Sequence, residues 1–201
     1  MKIKLAILVA LVVAAVWAVL ANEPAKQGQG AILNLESERN LESPQPLACV
    51  PLSDITAQHN PVDLITGVAQ CIEQERYAQA ADLYTTAMTY GYYDTLRVSD
   101  QTAHQALMVT RMNAFAQAEQ ADLVALQDAI AARLEVPELC QQLTTLGAPQ
   151  YHPDYMIQHG MEAFSAMPEE KGGLVADFDA QAAWEYALQT VPKCGVDTAA
   201  D

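Results

Sequence analysis

Positive charge is scarce in this sequence. Among 201 residues there are 10 lysines and arginines against 25 aspartates and glutamates, which gives a formal net charge of −15. A chain this acidic repels the phosphates of nucleic acids and the headgroups of anionic lipids. Nucleic-acid binding and peripheral membrane binding are therefore disfavoured, and a partner attracted by charge would be a basic protein.

Recognisable catalytic motifs are also missing. No two cysteines have the CxxC spacing, which weakens zinc ligation and thioredoxin-type redox chemistry as explanations. No serine stands in a GxSxG elbow, and the pair Gly172-Gly173 lacks the lysine and serine of a phosphate-binding loop. The sequence therefore favours a protein that is not an enzyme, and it implies no cofactor.

The apolar residues are concentrated at the start of the chain. Lys2 and Lys4 precede an unbroken apolar run from Leu5 to Ala21, followed by the polar Asn22. This pattern predicts a secretory signal peptide over residues 1–21, although an uncleaved anchor of similar length is the alternative. After cleavage 8 basic residues face 25 acidic ones, a net charge of −17, and we expect a periplasmic or secreted protein with no membrane contact.

The four cysteines fit an exported protein. An even number of cysteines in such a chain predicts two disulfides. Sequence alone permits three pairings, of which we favour Cys49–Cys71 and Cys140–Cys194. The first would attach a proline-rich segment to a helix, and the second would attach the C-terminal tail to the start of another helix.

Helical periodicity begins at Asn60-Pro61 and continues through most of the remaining chain. Before it, prolines and glycines predict an extended or mobile arm over residues 22–60. Apolar residues then recur every three or four positions, and no stretch alternates with period two. We predict one all-α domain of packed antiparallel helices over residues 61–195, stapled by the disulfides, and a short tail over 196–201.

Several helix boundaries follow from local signals. Asn60 and Pro61 predict the start of the first helix, Tyr77 begins the second, and Gly91 is expected to end it. Residues 92–98 then form a short link. Later helices are predicted over residues 122–134 and 137–146. Three others are predicted to begin at a capping residue: Ser99 or Asp100 for a helix to 118, Asp154 for a helix to 164, and Asp179 for a helix to 191.

The first two predicted helices carry a pattern known from repeat proteins. Tyr77, Ala80, Tyr84 and Ala87 alternate rings with small residues where two helices would approach. Residues 61–91 therefore resemble a tetratricopeptide or Sel1-type hairpin, although Leu64 stands at the usual tryptophan position. The resemblance covers about 30 residues, and it implies binding to another protein or peptide.

Two clusters hold the candidate functional residues. The first cluster, residues 90–97, combines tyrosine with arginine, and both often anchor protein interfaces. The second, residues 150–161, is dense in aromatic, imidazole and thioether groups, which suits a pocket wall or an interface loop and equally a long connection packed over the helical core. Inward packing of Tyr90 and Tyr93 with a local Asp94–Arg97 ion pair is an equal alternative for the first cluster. The candidate partner-binding residues are Tyr90, Tyr92, Tyr93, Asp94 and Arg97 in the first cluster, and Tyr151, His152 and Tyr155 in the second.

Three functions remain compatible with these observations. The favoured one is binding of another protein, for example by an immunity or inhibitor protein that neutralises a basic enzyme of the cell envelope. A metal-binding protein or hydrolase that uses His152, Asp154 and His159 is the second. A structural scaffold within an envelope assembly is the third.

Overall fold

The computed structural model describes residues 37–164 and 172–195, so the predicted signal peptide, residues 22–36 of the arm and the tail lie outside the described residues. These residues contain no β-strand, and one isolated antiparallel bridge joins Val98 to Leu174. The predicted all-α class is confirmed. None of the described helices is both long and apolar enough to cross a membrane.

The α-helices are α1 (Pro61–Glu73), α2 (Tyr77–Arg97), α3 (Ala106–Phe115), α4 (Gln120–Leu134), α5 (Pro137–Leu146), α6 (Asp154–Ile157) and α7 (Ala180–Thr190).

Helix α1 begins where its local sequence predicts. The Asn60 side chain accepts hydrogen bonds from the backbone N–H groups of Val62 and Asp63, and the Asp63 carboxylate accepts one from the N–H of Asn60. This reciprocal cap satisfies N–H groups that the first helical turn leaves without partners. Asp63 is fully buried and also accepts from the Ser43 hydroxyl and the Gln45 N–H, so the preceding segment is tied to the helix start.

Residues 37–60, the described part of the predicted arm, follow an extended path along the helices. Apart from one 3-10 turn at Leu52–Asp54, the segment contains no helix. It nevertheless contributes to the core, because Cys49, Leu52 and Ile55 are buried among residues of the helices. The part of the arm nearest the helical domain is therefore packed into it.

Helices α1 and α2 form an antiparallel hairpin. The chain reverses over three residues, and the N–H of Arg76 donates to the carbonyl of Cys71. The predicted end of the second helix is wrong, because α2 continues through Gly91 to Arg97 and includes the expected link. Gly91 is an interior packing position: a Cβ atom there would lie 2.6 Å from Cδ1 of Leu107. Because Gly91 has no side chain, Leu107 can pack against the helix at this position. Gly91 does not end the helix.

Both predicted disulfides are confirmed. Cys49 pairs with Cys71 and Cys140 pairs with Cys194. The first bond joins the extended segment to α1, and the second joins α5 to the chain that follows α7. Each bond therefore attaches a segment of irregular structure to a helix.

The later helices mostly follow their predicted starts. Asp100 caps the turn Gln101–Gln105, which leads into α3, and the Asp179 side chain accepts from the N–H of Ala182 at the start of α7. The single helix predicted over 154–164 is wrong, since α6 ends at Ile157 and a separate 3-10 turn covers Met161–Phe164. Gly160 lies between them against Asp100, where a Cβ atom would stand 2.2 Å from Oδ2 of Asp100.

Candidate functional site

The two residue clusters singled out in the sequence meet around one buried carboxylate. Asp94, on the last turn of α2, is fully buried. Its Oδ2 accepts hydrogen bonds from the hydroxyls of Tyr151 and Tyr155, each at 2.8 Å. Its Oδ1 accepts from Nε of Arg97 at 2.8 Å. Asp94 therefore joins two segments that lie about 60 residues apart in the chain.

Arg97 is held on both sides by aromatic rings. Its guanidinium carbon lies 5.1 Å from the centre of the Tyr93 ring and 5.2 Å from that of Tyr151. Such cation–π contacts favour a positive charge that has been removed from water. Asp94 and Arg97 therefore form a buried ion pair that is surrounded by tyrosine rings. Trp184 of α7 packs edge-on against Tyr90 and Tyr93.

Burial dominates the electrostatics of this cluster. Loss of solvation raises the pKa of Asp94, although Arg97 and the two phenol hydrogen bonds oppose that effect. Burial, together with the charge of Asp94, raises the pKa values of Tyr151 and Tyr155 well above those of free tyrosine. For Arg97 burial acts to lower the pKa, but the adjacent carboxylate outweighs it and the pKa is raised. The phenols therefore stay protonated and donate to Asp94.

This placement separates the eight candidate partner-binding residues into two groups. Five are buried and stabilise the interior, so they cannot contact a partner in this conformation. Tyr92 and Tyr151 are half-buried as whole residues, although the Tyr151 hydroxyl is buried against Asp94, and His152 is exposed. For the first cluster the structure shows the alternative arrangement, in which Tyr90 and Tyr93 pack inward and Asp94 pairs with Arg97. The five buried residues are Tyr90, Tyr93, Asp94, Arg97 and Tyr155.

The three residues proposed as metal ligands are not brought together. His152 Nδ1 lies 3.0 Å from Oδ1 of Asp154, whose Oδ2 pairs with Arg39 at 2.7 Å. His159 instead contacts the side-chain oxygen of Asn40 through Nδ1 at 2.9 Å. Within residues 37–164 and 172–195, no three histidine, cysteine or acidic side chains are grouped as metal ligands would be. His152 precedes α6 and His159 follows it, so the two histidines contact different partners.

The arginines of the helical region each contact another group of the protein, although Arg111 is exposed. Arg133 forms an ion pair with Asp82, with Nε 2.6 Å from Oδ1. Arg76 donates to the carbonyl of Cys49 at 2.9 Å, and the guanidinium of Arg111 lies over the ring of Tyr84 at 5.6 Å. Arg97 and Arg133 are each paired with an aspartate. The exposed carboxylates of the described residues include Glu73, Glu75, Glu119, Asp128, Glu135 and Glu185.

Three of the acidic residues line a hollow of about 210 Å³, here called the acidic hollow. Glu73 lies at the end of α1, while Glu119 and Asp122 lie at the start of α4. The apolar part of the lining comes from Ile72, Phe115 and three alanines. The Asp122 carboxylate accepts a hydrogen bond from the Tyr77 hydroxyl at 2.7 Å, which raises the pKa of Tyr77. A lysine or arginine side chain suits such a lining, because its methylene groups can contact the apolar residues while its charged group contacts the carboxylates.

A second and larger cavity was not foreseen from the sequence. It measures about 710 Å³ and lies between residues 52–58 and helix α5. We call it the glutamine cleft, because its polar lining includes the amides of Gln58, Gln141, Gln142 and Gln150. These residues come from three separate parts of the chain, so no local pattern could have revealed that they share one cavity. The Gln141-Gln142 pair on an exposed helix face is the only local signal.

Comparison with known proteins gives no relative from which a function could be transferred. No protein-family model, no curated protein and no solved structure matches the chain. The tetratricopeptide resemblance of α1 and α2 therefore stays a prediction, although the helical hairpin itself is present. Function has to be inferred from the surface and its cavities.

Proposed function

We propose that the protein binds a basic protein partner through its acidic surface. The observation that carries the proposal is the excess of acidic over basic residues, 25 against 10, together with the exposed carboxylates of the described residues, among them Glu73, Glu119 and Asp128. A surface of one charge accelerates encounter with a partner of the opposite charge and disfavours wrong partners. The acidic hollow supplies a place where a lysine or arginine of that partner could be seated.

The cellular setting of this binding is the periplasm or the outside of the cell. Two disulfides are typical of proteins that fold in an oxidising compartment. Removal of residues 1–21 as a signal peptide would deliver the protein there. In that setting an immunity or inhibitor protein that blocks a basic envelope enzyme is the most concrete form of the proposal.

The experiment identifies the partner and then measures the charge dependence of binding. The protein is cross-linked in envelope extract at 50 mM NaCl, and captured proteins are identified and purified. We expect a basic protein whose affinity falls at least tenfold between 50 and 500 mM NaCl, since salt screens exposed charges. If the partner is an enzyme, one equivalent of the protein should inhibit it.

Matched variants test the acidic hollow. Glu73→Gln combined with Glu119→Gln removes two charges from the hollow, while Glu135→Gln combined with Glu185→Gln removes two exposed charges elsewhere. The hollow variant should lose at least tenfold in affinity and the control pair less than threefold. Recovery of no partner, or of one that binds equally at both salt concentrations, would contradict the proposal.

A further inference from the structure

We propose that the glutamine cleft is a binding site for a short, uncharged peptide segment in extended conformation. This site is separate from the acidic hollow and does not depend on the proposed function, because the two cavities share no lining residue. The cleft is more than three times as large as the hollow, about 710 Å³ against 210 Å³. That volume lies within the range of established ligand sites.

The lining of the cleft excludes most other ligand classes. Among the described residues no lysine or arginine lines it, so an anion finds no counter-charge, and Glu138 is the one charged residue of this lining. The described part of the chain also contributes no aromatic ring to the cleft, whereas sugar rings are usually bound by stacking on such rings. A ligand with neutral donors and acceptors remains.

A peptide backbone has the required chemistry. Each glutamine amide offers both a donor and an acceptor, so it can pair with a peptide C=O and N–H together. Gln141 and Gln142 are exposed on α5, and Gln58 and Gln150 lie on the opposite side, with Nε2 of Gln58 3.5 Å from Oε1 of Gln150. The lining also includes the apolar side chains of Leu52, Ile55 and Leu146. Small aliphatic side chains of the peptide would be placed against them.

Both walls of the cleft are covalently anchored. The wall formed by residues 52–58 follows Cys49, which is bonded to α1, and the wall formed by α5 contains Cys140, which is bonded to Cys194. The N–H of Gln150 donates to the carbonyl of Ala57 at 2.8 Å and joins the connection after α5 to the first wall. A cleft held in this way is preorganised, so less free energy is spent on ordering it when a ligand binds.

The test uses a phage-displayed library of random twelve-residue peptides as the probe. The library is selected on the protein obtained by expression of the full chain, in 500 mM NaCl so that the acidic surface contributes little. We expect enriched sequences that share an uncharged stretch of about five residues. A synthetic peptide with that stretch should bind with similar affinity at 50 and 500 mM NaCl.

Variants on the cleft wall decide whether the peptide binds there. Gln141→Ala combined with Gln142→Ala should weaken binding at least tenfold, and Thr145→Arg should abolish it by filling the cleft. Gln127→Ala, an exposed change on α4, is the control and should leave the affinity unchanged. All four positions are exposed, and thermal melts will verify that the variants fold.

Three outcomes would overturn the inference. The first is enrichment of lysine-rich or arginine-rich peptides whose binding disappears in salt, since these would mark the acidic surface. The second is an uncharged peptide whose affinity the cleft variants do not change. The third is binding of chitotetraose, a neutral glycan probe, with amide NMR shift changes confined to the cleft, which would assign the site to a sugar. None of these results would by itself exclude a basic partner at the acidic hollow.

Discussion

Asp94 shows how a residue chosen as a candidate for binding can instead be a centre of stability. An unpaired carboxylate in the interior is costly, and Asp94 is tolerated because Arg97, Tyr151 and Tyr155 all donate to it. The i to i+3 spacing of Asp94 and Arg97 made the ion pair predictable from the sequence. The two phenols could not be predicted, because they reach Asp94 from a separate segment of the chain.

The first prediction concerns Asp94→Asn. The change leaves Arg97 buried with no counter-charge, and we expect a loss of about 3–5 kcal/mol in the free energy of unfolding measured with urea. Asp82→Asn, which breaks the more exposed pair with Arg133, should cost about 1 kcal/mol. Equal effects of the two changes, or a folded Asp94→Asn variant that only loses partner binding, would contradict this role.

The second prediction concerns the behaviour of the buried phenols in alkali. Tyr90, Tyr151 and Tyr155 have raised pKa values in the folded protein because of burial, whereas in the unfolded chain they ionise near pH 10. Above that pH the unfolded state releases more protons than the folded state, so stability is lost as pH rises through 10 and beyond. At neutral pH the contribution is fully present.

Tyrosinate absorbance at 295 nm and far-ultraviolet circular dichroism, followed from pH 8 to 12.5, measure this effect. The buried tyrosines should ionise only as the helices unfold, in one shared transition. Tyr155→Phe should make the fall in stability above pH 10 less steep, because one ionising group is removed. Ionisation of all tyrosines near pH 10 with helicity retained would show that the phenols are not protected.

At the scale of elements, α2 illustrates where local signals succeed and where they fail. Its start at Tyr77 and the preceding reversal follow from short-range pattern, and the capping residues Asn60, Asp100 and Asp179 act where the sequence placed them. Gly91 was misread, since glycine is common both at helix ends and where helices approach closely. The choice between those roles depends on Leu107, which the local sequence around Gly91 does not contain.

Gly91→Ala provides a test of this interpretation. At an ordinary site inside a helix, replacing glycine by alanine stabilises by roughly 0.5–1 kcal/mol. Here the new Cβ atom would overlap the Leu107 side chain, so we expect a loss of about 1–3 kcal/mol in urea denaturation. In a Leu107→Ala background, Gly91→Ala should lower the free energy of unfolding much less, because the overlapping side chain is gone. A stabilising effect of Gly91→Ala alone would restore the view that this glycine is only a poor helix residue.

For the whole molecule, the disulfides attach irregular segments to the helical core. Cys49–Cys71 closes a sequence separation of 22 and Cys140–Cys194 one of 54. Because a longer closed loop restricts the unfolded chain more, replacing both cysteines of a pair by serine should cost about 3 kcal/mol for the first bond and about 4 kcal/mol for the second. Thermal and urea unfolding of the two double variants will measure these losses. A larger loss for the shorter loop would indicate that native contacts around Cys49 dominate.

The sequence by itself determined the helical class, most helix starts, the net charge and the even number of cysteines. These properties depend on composition or on residues within a turn or two of each other, as hydrogen bonding within helices and capping do. Only the tertiary structure decided that Asp94 would be enclosed by phenols 57 and 61 residues away, and that glutamines from three segments would line one cleft. Burial and cavity formation depend on how distant segments pack together, and one sequence carries no direct record of that packing.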